Sequence, residues 1–466
     1  MHKEPNLERL FNPRKIAVVG ATEKPGRIGR IIFESLQRSS RILYPVHPKE
    51  TSVFGVEVVA DIAALPRDVD LAILAIGAKR AVEAAEACGE KKIPHVIVVA
   101  GGFSEAGEEG RELEARLSRL PETHGTRILG PNTLGLFLPG EKLDTIFVEH
   151  GDKALAGGGG VAFITQSGSV GVEALGLASN TGFGMRAFVG LGNKCDLDEI
   201  EFLRYFAKDP KTTCLAFYIE SLRDGRAFLQ EAKKVAADKP VVVLKAGRSA
   251  AGASAVSSHT GRLAGSDRVV DGAFRQHGIL RVLDDEDLCD AAKTLSALPP
   301  APGNRVAIVT PAGGYGVMGA DHVETLPGRV KLKMATLKKE TKKRIRERTL
   351  PFASAHNPVD LTASANDEMF GEALDALLED EGVDIILCTA FFAPPAISDD
   401  LVERVAERAR RSKKPIIAFT QYGPFTDKYL RRFHDAGVVG FPSIRRAVRA
   451  AQVLAERAEI VDKLKG

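Results

Sequence analysis

The chain of 466 residues has no tryptophan, and aromatic residues make up only 6% of it. That argues against an aromatic cage or a surface on which bases stack. Cysteine is scarce too: Cys88, Cys195, Cys214, Cys289 and Cys388, an odd number with no C-x-x-C spacing. Such a set speaks against a disulfide framework or a thiolate zinc site, and predicts reduced thiols in a cytoplasmic protein with no bound metal. No apolar run approaches the ~20 residues of a membrane span, and the first residues, Met1 to Asn6, carry no apolar signal core. An excess of charge is also missing. Lys plus Arg number 64 against 61 Asp plus Glu, which leaves no electrostatic footprint for nucleic acid. The densest basic run, Lys331 to Arg348, is interrupted by Glu340 and Glu347 and reads as a solvated helix face.

Glycine, by contrast, is plentiful at 45 residues, which suits loops that approach a ligand through backbone. Short β-branched runs recur, each followed by a longer helical pattern: 15–20, 71–77, 96–101, 161–165, 240–245, 306–310, 383–388 and 415–420. Continuous apolar strands alternating with helices predict an α/β protein with mainly parallel, doubly wound sheets and right-handed crossovers. Two Gly/Pro-rich breaks, 151–160 and 298–304, divide it into three expected domains, 1–150, 151–300 and 301–466.

An internal repeat links the last two. Val161 to Val172 and Val306 to Val317 align without a gap and share the pattern V-A-x-x-T-x-x-G-x-x-G-V. Each reads as strand, Gly-rich loop, helix start, and Lys15 to Gly29 opens in a related way. Backbone N–H groups in such a loop, with the positive end of the helix dipole behind them, suit an anion; the alternative is that the glycines only allow tight helix–sheet packing. Gly20, Gly26 and Gly29 do not have G-x-G-x-x-G spacing, and no acid ends the second strand near Leu43–Val46, so a dehydrogenase is disfavoured. Ser167, Gly168 and Ser169 in the second loop, and Gly313 and Gly314 in the third, are candidate phosphate donors. Between those loops, Arg248 to Asp267 is mostly small residues around His259, which Ser257, Ser258, Thr260 and Gly261 flank. An imidazole in that setting is a candidate phosphoryl acceptor. Glu220, at the carboxyl end of an expected strand, is a candidate to hold its second ring nitrogen, or is a capping or surface residue. Asn193 is either a phosphate donor or a turn residue.

The segment S-S-H-T-G-R-L-A-G from Ser257 to Gly265 closely resembles the phosphohistidine segment of the NDP-forming acyl-CoA synthetases, a family that includes ADP-forming acetyl-CoA synthetase and is related to succinyl-CoA synthetase. Val18–Thr22, Pro45–Lys49, Gly101–Glu105 and Gly130–Gly135 resemble its CoA-binding domain, Thr165–Gly171 its phosphate loop, Tyr218–Ser221 its paired Glu, and Thr310–Val317 with Asn357–Leu361 its ligase-like domain. The resemblance implies a Rossmann-like CoA-binding domain followed by two flavodoxin-like ligase domains. It implies an acid–thiol ligase that converts acyl-CoA, phosphate and ADP to acid, ATP and CoA, reversibly, through an acyl phosphate and a phosphohistidine at His259. Gly20, Ala21, Thr22 and Lys49 are then expected at the CoA phosphates, and Ile76, Phe103, Glu105 and Asn132 along the rest of CoA. The sequence departs from the family at Thr133, often Cys, and at Ile76–Lys79, where a Pro-containing turn is common. No ATP-grasp segment follows the third piece, so the expected match is a separate α subunit. ADP/ATP with Mg would then sit on an ATP-grasp β subunit in an α2β2 assembly. A non-catalytic CoA-binding regulatory subunit is the alternative.

Overall fold

The computed structural model describes residues 6–148, 159–181, 184–260 and 266–466, with the side chains at 179–181 and 257–260 outside that description. The His259 side chain and residues 261–265 therefore lie outside the described residues.

Three sheets carry the fold. The first contains β1 (Lys15–Val19), β2 (Ile42–Val46), β3 (Leu71–Leu74), β4 (His95–Val98) and β5 (Arg127–Leu129), all parallel, in the order β2-β1-β3-β4-β5. The second adds β6 (Leu136–Leu138), β7 (Leu143–Asp144), β8 (Val161–Thr165), β9 (Met185–Gly190), β10 (Cys214–Ile219), β11 (Val241–Lys245) and β12 (Leu280–Val282), in the order β12-β11-β10-β8-β9-β6-β7. The third consists of β13 (Arg305–Thr310), β14 (Lys333–Met334), β15 (Val359–Asp360), β16 (Ile385–Thr389), β17 (Ile416–Phe419) and β18 (Gly440–Phe441), with β14-β13-β16-β17-β18 in line and β15 beside the carboxyl end of β13. Strands such as Val161–Thr165 and Ile385–Thr389 are buried along their whole length, as expected of parallel strands covered on both faces. All five cysteines are buried, and none forms a disulfide.

Counted from the first parallel strand of each sheet, with the two-residue β15 left out, all three have the winding order 2-1-3-4-5. The expected doubly wound α/β architecture is therefore present three times. This order reverses direction between its first and third strands, and the crevice at their carboxyl ends is where such sheets take ligands. The crevices lie after β1 and β3, after β8 and β10, and after β13 and β16. The second sheet also has an antiparallel edge: β6 pairs with β9 (Phe137 opposite Phe188) and β7 with β6. This edge comes from residues 136–144, ahead of the Gly-rich break.

The helices used below are α1 (Ile28–Gln37), α2 (Ala78–Glu90), α3 (Gly168–Thr181), α4 (Glu199–Lys208), α5 (Ala250–Thr260) and α6 (Gly313–Thr325). A capping box sets the start of α4: Asp198 accepts from the Ile200 N–H and Glu201 accepts from the Asp198 N–H. The chain divides into two compact units. One holds the first two sheets, up to Leu288 apart from short segments; the other holds Cys289–Gly466 and the third sheet. In the first unit a continuous apolar core joins both sheets, and Phe11 packs its ring on Phe202, Tyr205 and Phe206. No helix among the described residues is long and apolar enough to cross a membrane.

Candidate active site

At the first crevice the chain leaves β1 through Gly20, which has φ +89 and whose N–H bonds the Val46 carbonyl. A Cβ there would lie 2.6 Å from Ile76 Cγ2, and one on Gly29 would lie 2.1 Å from the Gly20 carbonyl oxygen. Gly29 serves the close approach of α1 to the end of β1, and Gly20 lets the chain pass against Ala75 and Ile76 after β3. Gly26 is different: its φ is +74 and the space where a Cβ would sit is open. Ala21 and Thr22 are buried, and the Thr22 hydroxyl reaches Glu50 on the loop after β2 at 3.4 Å. That loop carries Lys49, which is exposed, as are Lys24 and Arg27 at the open start of α1. Gly20, Ala21, Thr22, Lys49 and Ile76 thus gather at one crevice. An open helix N-terminus ringed by exposed cations fits a polyphosphate ligand.

Phe103, Glu105 and Asn132 gather at a second place, together with Asn193. Glu105 accepts from the Gly102 N–H (2.6 Å), the Phe103 N–H (3.1 Å) and the Asn193 amide (2.6 Å). Burial alone would raise this carboxyl, but the Asn193 and backbone hydrogen bonds outweigh it and hold the pKa below the ordinary range. The Asn193 amide nitrogen also lies 3.2 Å from Ser104 Oγ and 2.9 Å from Glu114, while its oxygen accepts from Asn132 at 3.3 Å. An amide nitrogen has two protons, and these partners take both. The structure therefore joins Asn193 to the Glu105 cluster as a bridge between the loops after β4 and β9. Phe103 is fully buried and offers its backbone there, with no side-chain surface.

The Gly130–Gly135 segment runs from this cluster to the second crevice. Asn132 (φ +58) faces Asn193. The Thr133 hydroxyl bonds the Gly190 carbonyl and accepts from the Gly135 N–H. Leu134 lies under the start of α3, 3.6 Å from where a Gly168 Cβ would be. At that start Thr165 and Ser167 form a reciprocal pair: the Ser167 N–H donates to Thr165 Oγ1 and the Thr165 hydroxyl donates to the Ser167 carbonyl. Ser167 Oγ stands 3.1 Å from Ser169 Oγ and caps the Val170 N–H. Gly168 and Ser169 are exposed. Ser167 and Ser169 thus present hydroxyls, and Gly168 its exposed backbone, at the N-terminus of α3.

Glu220 follows β10 on the other side of this crevice and is 7% exposed. Tyr218, two residues earlier, is pushed up to about 12 by burial and then by the charge of Glu220 and a hydrogen bond to it. The turn is held by residues that were not singled out from the sequence. Gln166 Oε1 accepts from the N–H groups of Glu220 and Ser221, Lys245 Nζ donates to the Glu220 carbonyl, and Lys194 Nζ donates to the Ser221 carbonyl. Burial, then Arg281, pushes the Lys245 ammonium down, while Glu220 acts in the opposite sense. Nothing in a run of strand residues marks a neighbouring side chain as a backbone clamp; only the assembled sheet does.

The third crevice repeats the geometry with different chemistry. Thr310 and Ala312 make the same reciprocal pair as Thr165 and Ser167, and Gly316 meets the Thr310 methyl as Gly171 meets that of Thr165. Gly313 and Gly314 open α6, but the Asp360 carboxylate lies 2.6 Å from where a Gly313 Cβ would be. A carboxylate there opposes a second anion. Tyr315, one turn into α6, contacts Phe391 and Phe419 edge-on.

Helix α5, which carries His259, packs against the Ser104–Ala106 turn of the Glu105 cluster; the imidazole lies outside the described residues. None of the candidate residues lines the groove of about 1410 Å³ bounded by His95, Arg127, Asp196 and Arg223, which gathers residues at the amino ends of β4 and β5.

Comparison with known proteins gives three consecutive family matches: a CoA binding domain over residues 14–139, a succinyl-CoA ligase like flavodoxin domain over 158–295 and a ligase-CoA domain over 306–456. The chain is 34% identical to the α subunit of acetate–CoA ligase (ADP-forming) II of Pyrococcus furiosus, over 98% of each chain. It is 37% identical to acetate–CoA ligase (ADP-forming) I of Archaeoglobus fulgidus over 98% of its own length, but spans only 64% of that protein. Among solved structures, the dinucleotide forming acetyl-coenzyme A synthetase 1 of Candidatus Korarchaeum cryptofilum, in complex with phosphate and ADP, superposes with a TM-score of 0.90. It is 31% identical, over 99% of this chain and 98% of that one.

Proposed function

The chain belongs to the ADP-forming acetate–CoA ligase family, and we propose that it works as the α subunit of such an enzyme, interconverting acyl-CoA, phosphate and ADP with a carboxylic acid, ATP and CoA. The observation that carries this reading is the path of Gly130–Gly135. Within one compact unit this segment touches the Asn193–Glu105 cluster at Asn132 and underlies the α3 start at Leu134. Phosphate attack on a thioester needs the two reacting ends held together, and one rigid segment serves both.

The first crevice, with Thr22, Lys24, Arg27 and Lys49, receives the phosphates of CoA. Its thioester end runs toward Glu105 and Asn132. Phosphate rests on Ser167, Gly168 and Ser169, whose hydroxyls and N–H groups neutralise charge as it attacks the carbonyl carbon. The C–S bond breaks, giving acyl phosphate and CoA. One nitrogen of His259 then attacks the phosphorus and the carboxylate leaves. Glu220 accepts the N–H of the other ring nitrogen, fixing the tautomer and stabilising the charged phosphohistidine. Gly313 and Gly314 open the equivalent helix of the third sheet, where the Asp360 carboxylate weakens an anion site.

The phosphohistidine passes its phosphoryl group to ADP, with Mg, on an ATP-grasp β subunit, and the expected assembly is α2β2. The five buried thiols suit a cytoplasmic setting. The test is turnover of acyl-CoA, phosphate and ADP by the co-expressed subunits. Glu220→Gln should cost at least ~10²-fold in turnover; an unchanged rate would contradict the assignment.

A further inference from the structure

We infer that Gln166 is a positioning residue: its carboxamide, with the ammoniums of Lys194 and Lys245, fixes the Glu220–Ser221 turn and thereby the place of the Glu220 carboxylate. This rests on the role proposed for Glu220.

Strand β10 ends at Ile219, so the next two residues leave the ladder with four backbone polar groups to satisfy. Side chains from three separate segments take all four. Gln166, one residue past β8, accepts both N–H groups at 2.9 and 3.1 Å, and its Nε2 donates to Ser221 Oγ at 3.3 Å. Lys245, the last residue of β11, reaches the Glu220 carbonyl at 2.7 Å. Lys194, on the loop after β9, reaches the Ser221 carbonyl at 2.5 Å. Lys194 also pairs with Glu199 at 2.8 Å, both side chains fully buried, and Glu199 accepts from the Arg223 N–H at 3.3 Å. The clamp thus closes on itself around the turn.

An ordinary turn would leave these groups to water. Ordering three long side chains and burying two ammoniums costs entropy and desolvation, so the turn is held far more firmly than chain reversal requires. The third sheet is an internal control. Thr165 pairs with Tyr218, and Val309 pairs with Cys388. Carried one step further, this register puts Pro311 in the place of Gln166 and Phe391–Phe392 in the place of Glu220–Ser221. Where the carboxylate is absent, so is the clamp.

The test compares Gln166→Met, which removes the acceptor, with Gln166→Glu, which keeps it, each alone and with Glu220→Gln. The chain with its nucleotide subunit is given acetyl-CoA and radiolabelled inorganic phosphate. The readouts are the rate of histidine labelling and KM for acetyl-CoA. A misplacement of 1 Å can cost about 10²-fold, so Gln166→Met should slow labelling at least ~10-fold with KM unchanged. Gln166→Glu should recover most of the rate. In the Glu220→Gln background Gln166→Met should add less than ~2-fold, as expected of residues acting through one another. A wild-type rate in Gln166→Met, or the same loss in both backgrounds, overturns the inference. If Gln166→Met does not fold, Lys245→Met enters the same cycle with the same expected result. Full labelling by Glu220→Gln itself would instead sink the underlying role of Glu220.

Discussion

The second and third crevices share a winding order, a Gly-rich loop and a Thr that pairs reciprocally with the residue two positions on. Their mouths differ completely. The second has Gln166, Ser167, Ser169 and Glu220, with two buried lysines beneath. The third has Pro311, Ala312 and Gly314, a carboxylate at Gly313, and interlocked rings of Tyr315, Phe391 and Phe419. The strand–Thr–Gly frame is a packing device, set by how close a helix must come to a sheet. Chemistry is added by the few residues that the frame leaves free to vary.

The largest expected contrast is between the residues in equivalent places after β10 and β16. Glu220→Gln should lower turnover by ~10²-fold or more while leaving the thermal midpoint alone. Phe391→Leu should do the reverse. It should destabilise by about 1 kcal/mol through lost ring contacts with turnover within a few-fold. Equal kinetic losses in both would dissolve the contrast.

Smaller effects probe the shared frame. A Cβ at Gly171 meets Phe188 at 2.7 Å and the Thr165 methyl at 3.0 Å; at Gly316 the nearest atom is 3.1 Å away. Overpacking costs about 1–3 kcal/mol, so Gly171→Ala should destabilise clearly and Gly316→Ala less, by chemical denaturation. At the helix starts, Ser167→Ala removes a cap worth about 1 kcal/mol and should raise KM for phosphate several-fold. Ala312→Ser, the reciprocal change, should leave that KM alone. The smallest contrast is Gly168→Ala against Gly313→Ala. The first Cβ has ordinary contact at 3.6 Å, while the second meets the Asp360 carboxylate at 2.6 Å. Only the second should lower stability, by about 1 kcal/mol.

Much of this frame was legible in the sequence, because buried parallel strands must be continuous apolar runs and the repeat preserves its glycines. The antiparallel edge was not: Leu136–Leu138 and Leu143–Asp144 are too short to have a period of their own. The glycines at 20 and 29 read as an anion loop with close packing as the alternative, and the geometry shows the close packing. Asn193 stood out by its polarity and loop, but as a phosphate donor or a turn residue and not as a bridge to Glu105. Its partners, Glu105 and Glu114, are 88 and 79 residues away, a distance no local pattern spans. Gln166 did not stand out for a related reason: the groups its Oε1 accepts from are backbone N–H groups, which leave no mark on residue type.

The central claim, that His259 of this chain takes up a phosphoryl group derived from inorganic phosphate by way of an acyl phosphate, has one direct measurement. Acetyl-CoA and radiolabelled phosphate are added to the chain with its partner subunit in the absence of ADP, and the label on this chain is tested for stability in acid and base. The account predicts a base-stable, acid-labile phosphate that ADP discharges and that His259→Ala abolishes. Undiminished label in His259→Ala, or no label with any acyl-CoA offered, would contradict it.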